Sequence, residues 1–227
     1  MSDRPLALIT GASRGIGAAV ATVLAPSHDV LLGGRDLDAL QRMATALRGA
    51  HPWPVELTDA AALAAATSGL ESLDVLVHSA GIVELGPLAD ADADTWRRTF
   101  ELNVVAVAEL TRLLLPALRT ARGHVVLINS GAGLNANPGW GTYAASKFAL
   151  RAFADVLRAE QPDLRVTSVF PGRTATDMQR GVRAAEGQEY EPERYLAPDT
   201  VAGAVLAALT TPADGHPTDI VLRPASH

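Results

Sequence analysis

The chain has no cysteine, which excludes disulfides, thiolate catalysis and cysteine-ligated metals. It has no apolar run near the roughly 20 residues that span a bilayer. It has no excess of positive charge. The formal net charge is −6, so the chain offers no footprint for nucleic acid. Its six histidines, at 28, 51, 78, 124, 216 and 227, show no metal-ligand spacing. Aromatics make up only 4% of residues, and much of the hydrophobic content is alanine, which suits helices packed closely on a sheet. The first strand-like run, "PLALITG", starts at residue 5 and leaves no room for a signal peptide. These absences predict a soluble cytoplasmic protein with no membrane partner.

What is present is alternation. Apolar runs at Leu6–Thr10, Val30–Gly33, Pro54–Leu57, Asp74–His78, His124–Asn129, Arg165–Phe170 and Asp219–Leu222 read as strands buried on both faces. Helical patterns lie between them at Ile16–Leu24, Leu37–Leu47, Ala60–Ser68, 94–119, 140–160 and Thr200–Leu209. Repeated strand–helix alternation without a composition break predicts one α/β domain over 1–227. Its core would be a Rossmann-type, doubly wound parallel sheet of about seven strands flanked by helices. Segment 173–198 is the least regular and reads as a substrate loop.

The first strand runs into "TGASRGIG", which places Gly11, Gly15 and Gly17 around Ser13, Arg14 and Ile16 at the opening of a helix. The spacing is G-x-x-x-G-x-G. Glycines there permit a tight turn and close backbone approach, and free N–H groups at a helix N-terminus suit a pyrophosphate. No Gly-Lys-Ser/Thr follows, so this is not a P-loop. Further along, Tyr143 and Lys147 stand four apart in "GTYAASKFAL", which puts them on one helix face about 6 Å apart at Cβ. Taken alone that pair is a weak pattern. Ser130, in "INSGAG", precedes Tyr143 by 13 residues.

The glycine loop, "HSAG" at 78–81, "LNV" at 102–104, Ser130, Tyr143-x-x-x-Lys147 and "FPGRTAT" at 170–176 stand in one order along nearly the whole chain. In this the sequence resembles the short-chain dehydrogenase/reductase family. His78 and Ser79 depart from the two asparagines usual in its fourth-strand motif, whereas Ala80 and Gly81 remain. The resemblance implies a catalytic set of Asn103, Ser130, Tyr143 and Lys147. It implies cofactor contacts from the glycine loop, Ala80, Gly81, Asn103, Tyr143 and Lys147, and from Pro171, Gly172, Thr174 and Thr176. In such a set the tyrosine exchanges a proton with the substrate oxygen while hydride moves between nicotinamide and carbonyl carbon. Ser130 would hold that oxygen, Lys147 would bind the nicotinamide ribose, and Asn103 would help hold a water in a proton relay. A free tyrosine has a pKa of about 10, and lowering it by about 3 units needs roughly 4 kcal/mol. A cation about 4 Å away supplies a similar amount at an effective dielectric of 20, which assigns that task to Lys147.

Cofactor choice rests on the end of the second strand, "VLLGGRD". Enzymes that prefer NAD place an acid there. Gly34 aligns with that position, followed by Arg35, and Arg14 lies in the glycine loop. Two arginines and a missing acid suit the 2′-phosphate of NADP. A shift of two residues would instead put Asp36 on the ribose and favour NAD. Asp36 directly precedes the periodic run from Leu37, which favours a helix cap. Glu56 and Leu57 fall where the family contacts adenine. For the substrate pocket the sequence offers Ser130, Leu134, Trp140, Tyr143 and Met178, with Tyr190 and Tyr195 on the loop. Their apolar character points to a ketone, aldehyde or secondary alcohol without a phosphate handle, and Arg173 is a further loop cation. The expected activity is an NADP(H)-dependent carbonyl reductase or alcohol dehydrogenase. The alternatives are an NAD-preferring dehydrogenase and a non-catalytic NADP-binding regulator. A homodimer or homotetramer through helices 94–119 and 140–160 completes the expectation.

Overall fold

A computed structural model describes residues 4–225. Seven parallel strands form one sheet in the order β3-β2-β1-β4-β5-β6-β7. They are β1 Leu6–Thr10, β2 Asp29–Gly34, β3 Ala50–Pro54, β4 Val75–His78, β5 His124–Ile128, β6 Arg165–Pro171 and β7 Asp219–Leu222. The helices are α1 Gly15–Leu24, α2 Leu37–Ala46, α3 Ala60–Thr67, α4 Ala93–Phe100, α5 Ala106–Ala121, α6 Gly141–Glu160, α7 Asp177–Ala185 and α8 Pro198–Leu209.

The strands read as unbroken apolar runs because both faces are covered. Side chains alternate across the sheet. Ala7, Ile9, Val75, Val77 and Val126 face one core with Val20 and Leu24 of α1, Leu40 of α2 and Val201 and Val205 of α8. Leu8, Leu76, Val125 and Leu127 face the other, with Leu63 of α3, Leu110 and Leu114 of α5 and Leu150 and Leu157 of α6. Leu8, Leu76 and Leu110 have no solvent exposure. Each such side chain contributes about 1.5–3 kcal/mol relative to an exposed one.

Three sequence expectations need correction. The third strand lies at Ala50–Pro54, not Pro54–Leu57. Its two prolines hid it, yet they are compatible with an edge strand. Gly49 O accepts from Val30 N and Val55 N donates to Gly34 O, so the odd positions face β2. Pro52 and Pro54 therefore fall where an N–H would point away from the sheet. The second correction concerns helix 94–119, which is two helices joined by a π turn at Glu101–Val105. Third, 173–198 is not irregular throughout, since it contains α7. Thr176 caps that helix by accepting from Gln179 N at 3.2 Å. The helix has nine residues and buries only Gln179 and Val182, too few to display a period.

Chain order reverses between β1 and β4, and this switch point opens the crevice where ligands of such sheets bind. Gly11 sits there with φ +68°, and a Cβ on it would lie 2.9 Å from Ala80 N. The departures at 78 and 79 are accommodated locally. Thr10 Oγ1 accepts from Ser79 N at 3.1 Å and Ala80 N at 3.2 Å. His78 Nε2 bonds Thr111 Oγ1 at 2.9 Å.

Burial lowers the pKa of His78 and of His124 from 6.5 to about 3. Both rings are neutral in the folded protein but take up a proton on unfolding below about pH 6.5. Their contribution is whole above that value and is lost as pH falls towards 3. Each histidine should cost about 1.4 kcal/mol of stability per pH unit in that window. Urea unfolding at pH 7, 6 and 5 checks this before carboxylates begin to titrate. A midpoint that does not fall between pH 6.5 and 5 contradicts it.

Candidate active site

The crevice continues as a cleft of about 810 Å³ along the C-terminal ends of β1, β2, β4, β5 and β6. That volume lies within the roughly 300–1,000 Å³ of ligand pockets. It is lined by the glycine-loop residues Gly11, Ser13, Arg14, Gly15, Ile16 and Gly17. Gly34, Arg35, Glu56, Leu57, Ala80 and Gly81 line it next, then Ser130, Trp140, Tyr143, Lys147, Pro171, Gly172, Thr174, Thr176 and Met178. Residues chosen from seven separate segments thus meet on one surface. Leu134 does not. It follows the 3-10 turn Gly131–Gly133, which carries it past the wall. Tyr190 and Tyr195 also lie outside the lining and pack on each other with ring centroids 5.7 Å apart.

At the glycine loop, α1 opens with no side-chain cap and no acid in its first turn. Its first N–H groups are therefore left without a side-chain cap. A side chain at Gly17 would strike Gly11 O, so the loop keeps its tight turn only with glycine there. An uncapped N-terminus with close backbone approach fits an anionic pyrophosphate. At the far end of β2, Arg35 Nη1 lies 3.5 Å from Glu56 Oε2, and both side chains are exposed. Asp36 caps α2, accepting from Ala39 N at 2.9 Å, and does not line the cleft. Gly34 has room for a side chain, since its Cβ would meet only Leu40 at 3.4 Å.

At the other end, Lys147 is buried to 5% exposure and donates from Nζ to Ile128 O at 3.0 Å. Burial lowers its pKa to about 8. Nζ lies 5.7 Å from the centroid of the Tyr143 ring. The expected depression of the tyrosine by this lysine is not what the protein groups produce. Burial raises the Tyr143 pKa, and a hydrogen bond with Ser130 only partly opposes it. Desolvation of a phenolate outweighs a cation that is turned towards a carbonyl. With protein groups alone, Tyr143 is a neutral phenol, able to give a proton rather than take one.

Asn103 does not line the cleft but braces it from behind. Its Oδ1 accepts from Ile82 N, and its Nδ2 donates to Ile82 O, both at 2.9 Å. Nδ2 also reaches Ser146 Oγ at 3.1 Å, and that hydroxyl donates to Tyr143 O at 2.7 Å. The π turn brings this amide inward, which explains an asparagine inside a helical run. Sequence reasoning missed Asn129. Its Oδ1 accepts from Ser130 N at 2.8 Å, and its Nδ2 donates to Lys147 O at 3.1 Å. One amide thus fixes the serine relative to the helix carrying the lysine. The signal was an amide at the end of an apolar strand. Ile82, Val83, Gln179, Val182 and Arg223 also line the cleft and went unnoticed. Arg173 does line it, but Glu186 holds its guanidinium through two bonds of 3.0 and 2.7 Å.

A glycine-lined crevice at the switch point of a parallel sheet defines a Rossmann-type fold. The short chain dehydrogenase family profile matches residues 5–187. A glycine betaine reductase of Emericella nidulans is 38% identical over 96% of this chain, although the chain spans only 18% of that relative's length. An alcohol dehydrogenase of Thermococcus sibiricus, solved in complex with 5-hydroxy-NADP, superposes with a TM-score of 0.90 at 26% identity, covering 99% of this chain and 98% of that one. A short-chain dehydrogenase of Escherichia coli in complex with NADPH gives 0.89 at 27%, covering 97% of each. The chain belongs to the short-chain dehydrogenase/reductase family and is an oxidoreductase of that family.

Proposed function

We propose that the protein is an NADP(H)-dependent oxidoreductase that interconverts a ketone or aldehyde with its alcohol. The observation that carries this is the convergence of Tyr143, Ser130 and Lys147 on the same cleft as the uncapped, glycine-lined N-terminus of α1. NADP(H), which two of the similar solved structures hold in native or modified form, would supply or accept the hydride at the carbonyl carbon. The chain's own groups do the rest. Tyr143, a neutral phenol, gives its proton to the substrate oxygen in the reducing direction. Ser130 hydrogen-bonds the same oxygen and fixes its line of approach. Lys147 keeps a positive charge beside the phenol, stabilising the phenolate left behind. Asn103 and Asn129 position the groups that do this, through Ile82, Ser146 and Ser130. Trp140, Val83, Val182 and Met178 surround the substrate with apolar surface and exclude water. A cytoplasmic setting fits the cysteine-free composition.

Tyr143→Phe should lower turnover about 10²- to 10⁴-fold while leaving NADP(H) affinity near that of the parent, since the lost hydroxyl acts on substrate. Lys147→Ala should weaken both. In the parent, carbonyl reduction should decline as pH rises through about 8, where the lysine loses its proton. Steady-state rates between pH 6 and 10 check the limb. Substantial turnover by Tyr143→Phe would end the mechanism.

NADP preference rests on Arg14, Arg35 and the missing acid at Gly34. Each arginine–phosphate contact, at an exposed rim, should give at most about 10- to 100-fold preference. Arg35→Ala should reduce kcat/KM for NADPH and hardly change it for NADH. Gly34→Asp should go further, because its carboxylate repels the phosphate and accepts from the ribose. Parent enzyme that uses NADH as well as NADPH contradicts the assignment.

We also propose a two-fold dimer or tetramer built on α5 and α6. Phe148 and Val156 of α6 and Val105 at the π turn are 41%, 54% and 48% exposed, large apolar side chains that a second subunit would cover. Light scattering at micromolar protein should give at least twice the chain mass, and a monomer mass refutes it.

A further inference from the structure

Five arginines line the cleft: Arg14, Arg35, Arg98, Arg173 and Arg223. Four are matched by a carboxylate: Asp177 at 3.8 Å, Glu56 at 3.5 Å, Glu84 at 3.0 Å and Glu186 at 2.7 Å, respectively. Arg223 has no carboxylate in ion-pair reach among the described residues. It is nevertheless held in place. Its Nη1 donates to Phe170 O at 3.1 Å and Leu222 O at 2.9 Å. Two carbonyls thus orient the guanidinium at the end of β6 and β7, while Nη2 and Nε have no acceptor among the described residues. The flank of its side chain packs against the Pro171–Gly172 turn, where Cδ would lie 3.6 Å from a Cβ on Gly172.

The position of the charge matters more than its presence. A Cβ on Gly131 would lie 3.4 Å from both Nη1 and Nη2. Gly131 directly follows Ser130, so the guanidinium stands over the cleft residue next in sequence to the serine assigned to the reacting oxygen. The cleft's carboxylate without an ion pair among the described residues, Glu101, belongs to the π turn after α4, and it is not the partner of Arg223. Guanidinium presents parallel N–H donors that match a carboxylate.

We propose that Arg223 is a specificity-determining residue that binds an anionic group, a carboxylate, on a carbonyl substrate. The substrate class is then an oxo acid, with the carboxylate a few bonds from the carbonyl. This rests on the reductase reading of the same cleft and adds the substrate's charge to it. The apolar lining remains, and the anion is held at its β6–β7 end.

The test compares each charged substrate with its neutral methyl ester: 4-oxopentanoate and 4-carboxybenzaldehyde, which differ in reach. The ratio of kcat/KM, charged over neutral, is measured for the parent, Arg223→Gln and Arg223→Lys. Intrinsic carbonyl reactivity cancels between enzymes. For at least one pair the ratio should fall about tenfold in Arg223→Gln, the factor that 1.4 kcal/mol makes, and recover in part in Arg223→Lys. The fall should lie mainly in KM and should shrink in high salt. An unchanged ratio for both pairs overturns the proposal, as does an NADP⁺ affinity that falls by the same factor, which would assign the arginine to the cofactor. Calorimetric titration of benzoate and benzamide onto the NADP⁺-bound protein reads the charge preference without turnover. If neither aldehyde nor ketone is reduced, the reductase reading fails, while loss of benzoate preference in Arg223→Gln still supports the anion site. Equal binding of benzoate and benzamide by the parent overturns it.

Discussion

A buried ammonium is the constraint around which this molecule is arranged. Lys147 is almost sealed from solvent, and its charge is tolerable only because Ile128 O receives it. That carbonyl ends β5, so the lysine ties the middle of the sheet to α6. The tie is doubled through Asn129, which leaves the same strand end and bonds the lysine's own carbonyl. Moving α6 by an ångström would break both. Ser130 and Lys147 are therefore held through main-chain groups, and Tyr143 adds a direct hydrogen bond to Ser130.

The same logic recurs on the opposite wall of the cleft. Ile82 follows the fourth-strand motif in an extended stretch that belongs to no strand, and both its main-chain groups are satisfied by one amide, Asn103. Without that amide the stretch would leave a partly buried donor and acceptor without a protein partner. The π turn is the local irregularity that delivers the amide to this position. It links the wall of the cleft to Ser146 on α6, and so to the helix that holds the tyrosine. Both walls thus converge on α6.

Much of this was legible in the sequence. Strands buried on both faces announce themselves as apolar runs, and six of seven were placed within a residue or two. The glycine loop, Ser130, Tyr143 and Lys147 could be located because their motifs are local. The failures share a different cause. β3 carries prolines that only an edge position tolerates, and edge position is a property of the assembled sheet. Leu134 and the two loop tyrosines were chosen for chemistry, but their direction depends on turns that no periodicity reports. The tyrosine's environment was misjudged because a four-residue spacing fixes Cβ separation and says nothing about where an ammonium turns for a partner. Asn129 and Arg223 went unseen because their partners lie 18 and 53 residues away.

The two prolines of β3 have a further consequence, for the outside of the molecule. On the edge facing away from β2, positions 52 and 54 have no N–H to give, so an arriving strand would find acceptors and almost no donors. The other edge, β7, carries no proline and pairs only with β6 among the described residues. The sheet can accept a neighbour on one side and refuses it on the other. Head-to-tail growth needs two compatible edges, and this protein has one. Any strand-to-strand association must close after two molecules, so the sheet is protected from fibre-like extension without a covering helix or loop.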